Sequence, residues 1–219
     1  MIINCDAVLF DMDGTLIDST LACERLLRDW ATRHNLSADY VVTYSHGRRN
    51  LDVVRDLTPH LAIEQEARRL DQEELDYRDG VIAVQGALQL LSALPEDRWA
   101  VVTSASRNVA QMRFACAGLP QPRVLICSKD VSRGKPDPEG YLLAAKRLRV
   151  RPEHCIVIED TPAGLEAGRN SGMPVLGITT TFGPDALNCD TIADFTAIKV
   201  NVQEDLSLRL EVGANCRKA

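Results

Sequence analysis

Two aspartates one residue apart, in the run Asp11-Met12-Asp13-Gly14-Thr15, follow directly on the apolar stretch Ala7-Val8-Leu9-Phe10. If that stretch is a buried strand, both carboxylates leave its carboxyl end, the edge at which open α/β sheets bind ligands. Two like charges in one small space repel, so one carboxyl must hold a proton or a cation must sit between them. Mg²⁺, a hard ion that prefers oxygen donors, meets that demand. Asp-Gly is also an ordinary turn dipeptide, so the pair alone decides little.

Three more polar clusters follow other apolar runs. Thr103-Ser104-Ala105-Ser106 ends the run Ala100-Val101-Val102 and offers hydroxyls and backbone N–H groups to a phosphate, although the same residues could simply cap the next helix. Lys135 lies in Arg133-Gly134-Lys135-Pro136-Asp137-Pro138. A lone lysine is usually solvated. Here glycine and proline neighbours restrict the backbone just before a helix start, so the ammonium can reach back over the sheet edge and neutralise a phosphate or an attacking carboxylate. Glu159-Asp160 closes the run Cys155-Ile156-Val157-Ile158, and two acids at a buried strand end call for a cation.

Short apolar runs alternating with longer helical patterns predict an α/β fold, a doubly wound and mainly parallel sheet with a Rossmann-like core. Five strands are expected, at 7–10, 100–104, 124–127, 155–158 and 175–178, with helices near 108–117, 139–148 and 163–171. Asp137-Pro138 and Thr161-Pro162 each place a capping residue before a proline suited to the first helical position. About ninety residues separate the first two strands, far more than a crossover needs. Leu26, Leu27 and Trp30 share one face of a predicted helix over 20–34, and Ile63, Ala67 and Leu70 share one face of another over 61–77. An inserted α-helical cap domain over 16–82 is therefore expected, between core segments 1–15 and 83–219, with linkers near 14–17 and 83–86. Residues 197–219 carry an apolar pattern consistent with either packing on a sheet edge or partial disorder.

Hydrophobic residues make up 45% and charged residues 26% of the chain, ordinary for a folded domain. The formal net charge of −6 and the lack of a basic cluster argue against a nucleic-acid partner. No apolar run approaches the roughly 18 residues of a membrane span, and no signal-like segment opens the chain, so no membrane partner and a cytoplasmic location are expected. Seven cysteines, Cys5, Cys23, Cys116, Cys127, Cys155, Cys189 and Cys216, form no CxxC pair and read as buried reduced thiols. Oligomeric state stays open between a monomer and a weak homodimer.

The ordered set of DxDGT, a hydroxyl cluster, GKP and EDxxxG resembles the haloacid dehalogenase superfamily up to about Phe195, and the helical insert resembles that superfamily's small cap. Ser45-His46-Gly47-Arg48, the run 98–104 and Thr179-Thr180-Thr181-Phe182 resemble the subgroup with 2-deoxyglucose-6-phosphatases, glycerol-phosphate phosphatases and bacterial sugar phosphatases. The resemblance implies a phosphatase of small phosphomonoesters, with Asp11 as nucleophile and Asp13 as acid and base. It implies Ser104, Ala105, Thr103 and Lys135 around the phosphoryl group, and Asp11, Asp13, Asp160 and Glu159 around Mg²⁺. His46 and Arg48, with Arg49 as a weaker candidate, would read the substrate from the cap. A β-phosphoglucomutase-like mutase resembles the chain around 104–108, and a non-catalytic sugar-phosphate binder on the same scaffold is the third reading. A dehalogenase is disfavoured, because that chemistry resembles this one without the second carboxylate, Asp13.

Overall fold

The computed structural model describes residues 1–213. In chain order the strands are β1 (Ile2–Cys5), β2 (Ala7–Phe10), β3 (Ile17–Asp18), β4 (Ile82–Ala83), β5 (Trp99–Val102), β6 (Leu125–Ile126), β7 (Cys155–Glu159), β8 (Val175–Ile178), β9 (Thr191–Ile192), β10 (Ile198–Val202) and β11 (Leu208–Val212). The helices are α1 (Thr20–Arg33), α2 (Ala38–Ser45), α3 (Asn50–Leu57), α4 (Ile63–Glu73), α5 (Ala87–Ala93), α6 (Arg107–Cys116), α7 (Glu139–Leu148), α8 (Pro162–Asn170) and α9 (Pro184–Leu187).

Six strands form one parallel sheet in the order β6-β5-β2-β7-β8-β9. Every residue of β2, β5 and β7 is buried, as expected where helices cover both faces of a sheet. The period of two sorts β2 between the faces: Val8 and Phe10 join an apolar cluster with Leu90 of α5 and Phe114 of α6, while Ala7 and Leu9 join one with Tyr141 of α7 and Ala167 of α8. Chain order reverses on either side of β2, so a crevice opens at its carboxyl end. The sheet holds one strand more than the five expected. β9 is only two residues long, too short for its alternation to show.

Between β3 and β4 the chain folds into α1 to α4 and a 3₁₀ turn over Glu74–Asp76. Leu26, Trp30, Val41, Val53, Ala67 and Leu70 close an apolar cluster of their own there. The two linkers run side by side, because β3 pairs antiparallel with β4 (Ile17 with Ala83, Asp18 with Ile82). Helices α2, α3 and α5 lay hidden to periodicity, since each spans only about two turns. The stretch after 197 does not extend the main sheet. β10 and β11 form a hairpin, and β11 pairs with β1 to give a separate three-stranded antiparallel sheet. Residues 214–219, Cys216 among them, lie outside the described residues.

The thiol expectation needs one correction. Cys5, Cys127 and Cys155 are buried, but Cys116 is exposed at the end of α6, and Cys23 and Cys189 are half-buried. Among the described residues no helix is long and apolar enough to cross a membrane. Leu9 is fully buried in the middle of β2. Leu9→Ala is expected to lower unfolding stability by about 2–5 kcal/mol, read as a shifted urea midpoint at unchanged slope.

Candidate active site

Strand register brings the acids together. Phe10 pairs with Ile158 and the Asp11 N–H donates to the Ile158 carbonyl (3.1 Å), so the next residues along, Asp11 and the Glu159-Asp160 pair, come out side by side. Carboxylate oxygens of Asp11, Glu159 and Asp160, all buried, lie within 4.8 Å of one another. Loop 11–17 folds tightly at this edge: the Met12 carbonyl accepts from the N–H groups of Leu16 (3.0 Å) and Ile17 (2.9 Å). Gly14 takes φ +80°, and a Cβ there would fall 2.0 Å from Asp160 Oδ2, so the loop can cradle Asp160 only with glycine at this point. Thr15 Oγ1 donates to Asp160 Oδ1 (3.1 Å).

Lys135, buried on the loop before α7, donates to Asp11 Oδ1 and to Glu159 Oε1 (2.6 Å). Glu159 is already occupied. Its Oε1 also accepts from the Tyr141 hydroxyl (3.4 Å), and its Oε2 accepts from the Thr161 N–H (2.8 Å) and Oγ1 (2.9 Å). The same Thr161 Oγ1 caps α8 by accepting from the Gly164 N–H (3.1 Å). Glu159 thus has both oxygens bonded within the protein, and it stands with Asp11 and Asp160 as a group of carboxylates that could hold a cation. Helix α7 begins differently from expectation, since Asp137 Oδ1 accepts from the Glu139 N–H (3.0 Å) and Pro138 stands just outside the helix.

One cavity of about 110 Å³ is lined by Asp11, Asp13, Thr103, Ser104, Ala105 and Asp160 from the sheet edge and by His46 and Arg48 from the insert. The Ala105 N–H is turned onto Thr103 Oγ1 (3.0 Å), and Ser104 Oγ donates to the Gly47 carbonyl of the insert (2.7 Å). His46 meets Phe182 edge to face at 5.5 Å, and the Arg48 guanidinium lies 4.4 Å over the Tyr44 ring. Arg49 is not on this cavity. It is buried, forks onto Asp52 (2.6 and 2.9 Å) and donates to the carbonyls of Val131 (3.2 Å) and Ser132 (3.3 Å), which ties the insert to the core. Adjacent arginines thus face different ways, a distinction no linear reading makes.

Several polar residues here had no motif to announce them: Ser19, Glu74, Arg113 and Tyr141. A faint signal existed for two. Arg113 shares the buried face of α6 with Val109, Ala110 and Phe114, and Glu74 continues the row of Ala67 and Leu70. A charge in register with an apolar stripe must find a buried partner.

Residues 5–172 match the haloacid dehalogenase-like hydrolase family. The chain belongs to that family. It is 39% identical over 190 residues to hexitol phosphatase A of Escherichia coli, covering 84% of this chain and 88% of the relative. It is 37% identical over 205 residues to glycerol-1-phosphate phosphohydrolase 2 of Saccharomyces cerevisiae, covering 87% and 82%. Among solved structures, a family IA hydrolase from Entamoeba histolytica superposes with a TM-score of 0.73 at 27% identity, covering 88% of this chain and 95% of that one.

In this haloacid dehalogenase-like hydrolase the acids are held under strain of charge. Burial pushes the Asp11 carboxyl up to about 8, with Lys135 pulling it down and Glu159 and Asp13 pushing it further up. Burial and the neighbouring Glu159 and Asp11 raise Asp160 in the same direction. Hard oxygen donors, buried and mutually repelling, are a fit for a divalent cation. Between about pH 4 and 8 the folded, metal-free protein keeps a proton on Asp11 that the unfolded chain releases, so its stability falls as pH rises through that window. In excess chelator the melting temperature is expected to drop from pH 5 to pH 8, and Asp11→Asn should flatten the drop; a profile unchanged by the substitution would contradict the assignment.

Proposed function

We propose that the chain is a Mg²⁺-dependent phosphatase of small phosphomonoesters, sugar or polyol phosphates, working through a phospho-aspartate on Asp11. The observation that carries this reading is a buried carboxylate at a strand end, gripped by Lys135 on one oxygen and placed with Asp13 and Asp160 on one cavity. Relatives named as phosphatase and phosphohydrolase favour hydrolysis over a mutase.

Asp11 attacks phosphorus, and the bond to the ester oxygen breaks. Asp13 gives its proton to the departing alcohol, then takes one from the water that splits the acyl phosphate, which restores Asp11 and frees inorganic phosphate. Lys135 screens the charge on Asp11 and on the phosphoryl oxygens, and Glu159, with Tyr141 and Thr161, fixes Lys135 for that work. Ser104, Thr103 and the Ala105 N–H hold the other phosphoryl oxygens after giving up their present partners, Gly47 for Ser104 and Thr103 for Ala105. The carboxylates of Asp11 and Asp160 and the Asp13 carbonyl would hold Mg²⁺, which supplies charge neutralisation and alignment of the phosphoryl group. The helical insert acts as a cap that excludes water, with His46 and Arg48 facing the substrate's hydroxyls.

The test is phosphate release from a panel of sugar and polyol phosphates with Mg²⁺. Asp11→Asn should abolish turnover, by about 10³-fold or more, while the fold persists; normal turnover in that variant would end the proposal. Lys135→Met should lower kcat by roughly 10²-fold with a much smaller change in KM, since its charge acts mostly on the transition state. His46→Ala or Arg48→Ala should raise KM for the best sugar or polyol phosphate more than for p-nitrophenyl phosphate, and equal effects on both would reject these substrate contacts.

A further inference from the structure

Arg113 is the most deeply buried arginine among the described residues, 1% exposed on α6. Its two arms take different partners. Nη1 pairs with Asp13 Oδ1 (2.7 Å), from the motif loop, and Nη2 pairs with Glu74 Oε1 (2.6 Å), from the insert. Nη2 also reaches Cys23 Sγ at 3.1 Å, while Nε has no partner. Glu74 is itself held by Asn50, whose Nδ2 donates to Oε2 (3.1 Å), and Asp13 Oδ1 takes a second bond from Ser19 Oγ (2.7 Å). Asp13, Arg113, Glu74, Asn50 and Ser19 all line the cavity that holds Asp11.

We infer that Arg113 is a positioning residue for the reaction: its planar fork holds the Asp13 carboxylate where it serves the leaving alcohol, and anchors that hold on the insert through Glu74. The inference rests on the reading of Asp13 as acid and base. Among the described residues, both of these contacts to Asp13 fall on Oδ1, which leaves Oδ2 to face the leaving alcohol. A guanidinium suits the task because its donors are fixed in one plane, whereas an ammonium would pin neither partner's direction. A buried ion pair that merely fastened the insert would, when broken, slow every substrate alike. Loss of a positioned proton donor slows only those substrates whose leaving group needs the proton.

Rapid-quench kinetics with Mg²⁺ separate the two. In p-nitrophenyl phosphate the leaving group departs as a stable anion; in glycerol phosphate it must be protonated. For Arg113→Met the nitrophenolate burst should stay within about threefold of wild type, while phosphoryl transfer from glycerol phosphate falls by at least about tenfold. Glu74→Gln, which loosens the anchor and leaves Arg113 in place, should show the same inequality at smaller size, and it decides the matter if Arg113→Met does not fold. Equal losses on both esters, or no loss, would overturn the inference while leaving the phospho-aspartate intact. A wild-type protein giving no burst and no turnover of either ester would overturn both.

Discussion

Three buried carboxylates around one ammonium is the constraint from which the rest follows. Asp11, Glu159 and Asp160 crowd within 4.8 Å, and Lys135 pairs with Asp11 and Glu159. Charges withdrawn from water this far are costly unless paired, so the surplus of negative charge must be met by protons or by a metal. The raised Asp11 and Asp160 carboxyls express the first outcome, and a divalent ion would bring the second. The surrounding loops make the crowding possible. Glycine at position 14 clears room beside Asp160, and glycine at 164 clears room beside Glu159, where a Cβ would come within 1.7 Å of a carboxylate oxygen.

A second set of charges governs how the insert sits on the core. Arg113 joins Asp13 to Glu74, Arg49 reaches the Val131 and Ser132 carbonyls, and Ser104 is bonded to Gly47. The Arg113–Glu74, Arg49–carbonyl and Ser104–Gly47 bonds each join insert to core, and the last of them occupies Ser104, a hydroxyl proposed for phosphate. Neutral hydrogen bonds of this kind contribute about 1 kcal/mol each, small enough to be exchanged for a charged ligand.

What the sequence by itself determined is local: apolar runs long enough to be buried strands, and the polar residues that must leave their ends. Asp11, Asp13, Thr103, Ser104, Lys135 and Asp160 were legible because each stands at a break between an apolar run and a helix; strand register then carries all but Lys135 to one edge, and Lys135 reaches it from the loop before α7. The doubly wound parallel sheet was legible for the same reason. The short elements α2, α3 and β9 escaped because one or two turns, or two residues, hold too few periods to stand out.

Only tertiary structure decided the partners. Arg113 lies ninety residues from Cys23 and thirty-nine from Glu74, so no spacing along the chain could pair them. The same holds for Arg48 against Arg49, for Glu159 spent on Lys135, and for the hairpin of β10 and β11 that found β1 at the other end of the chain. A charged side chain states only that it must be satisfied. Which group satisfies it depends on the packing of distant helices and strands, and therefore appears only when the chain is folded.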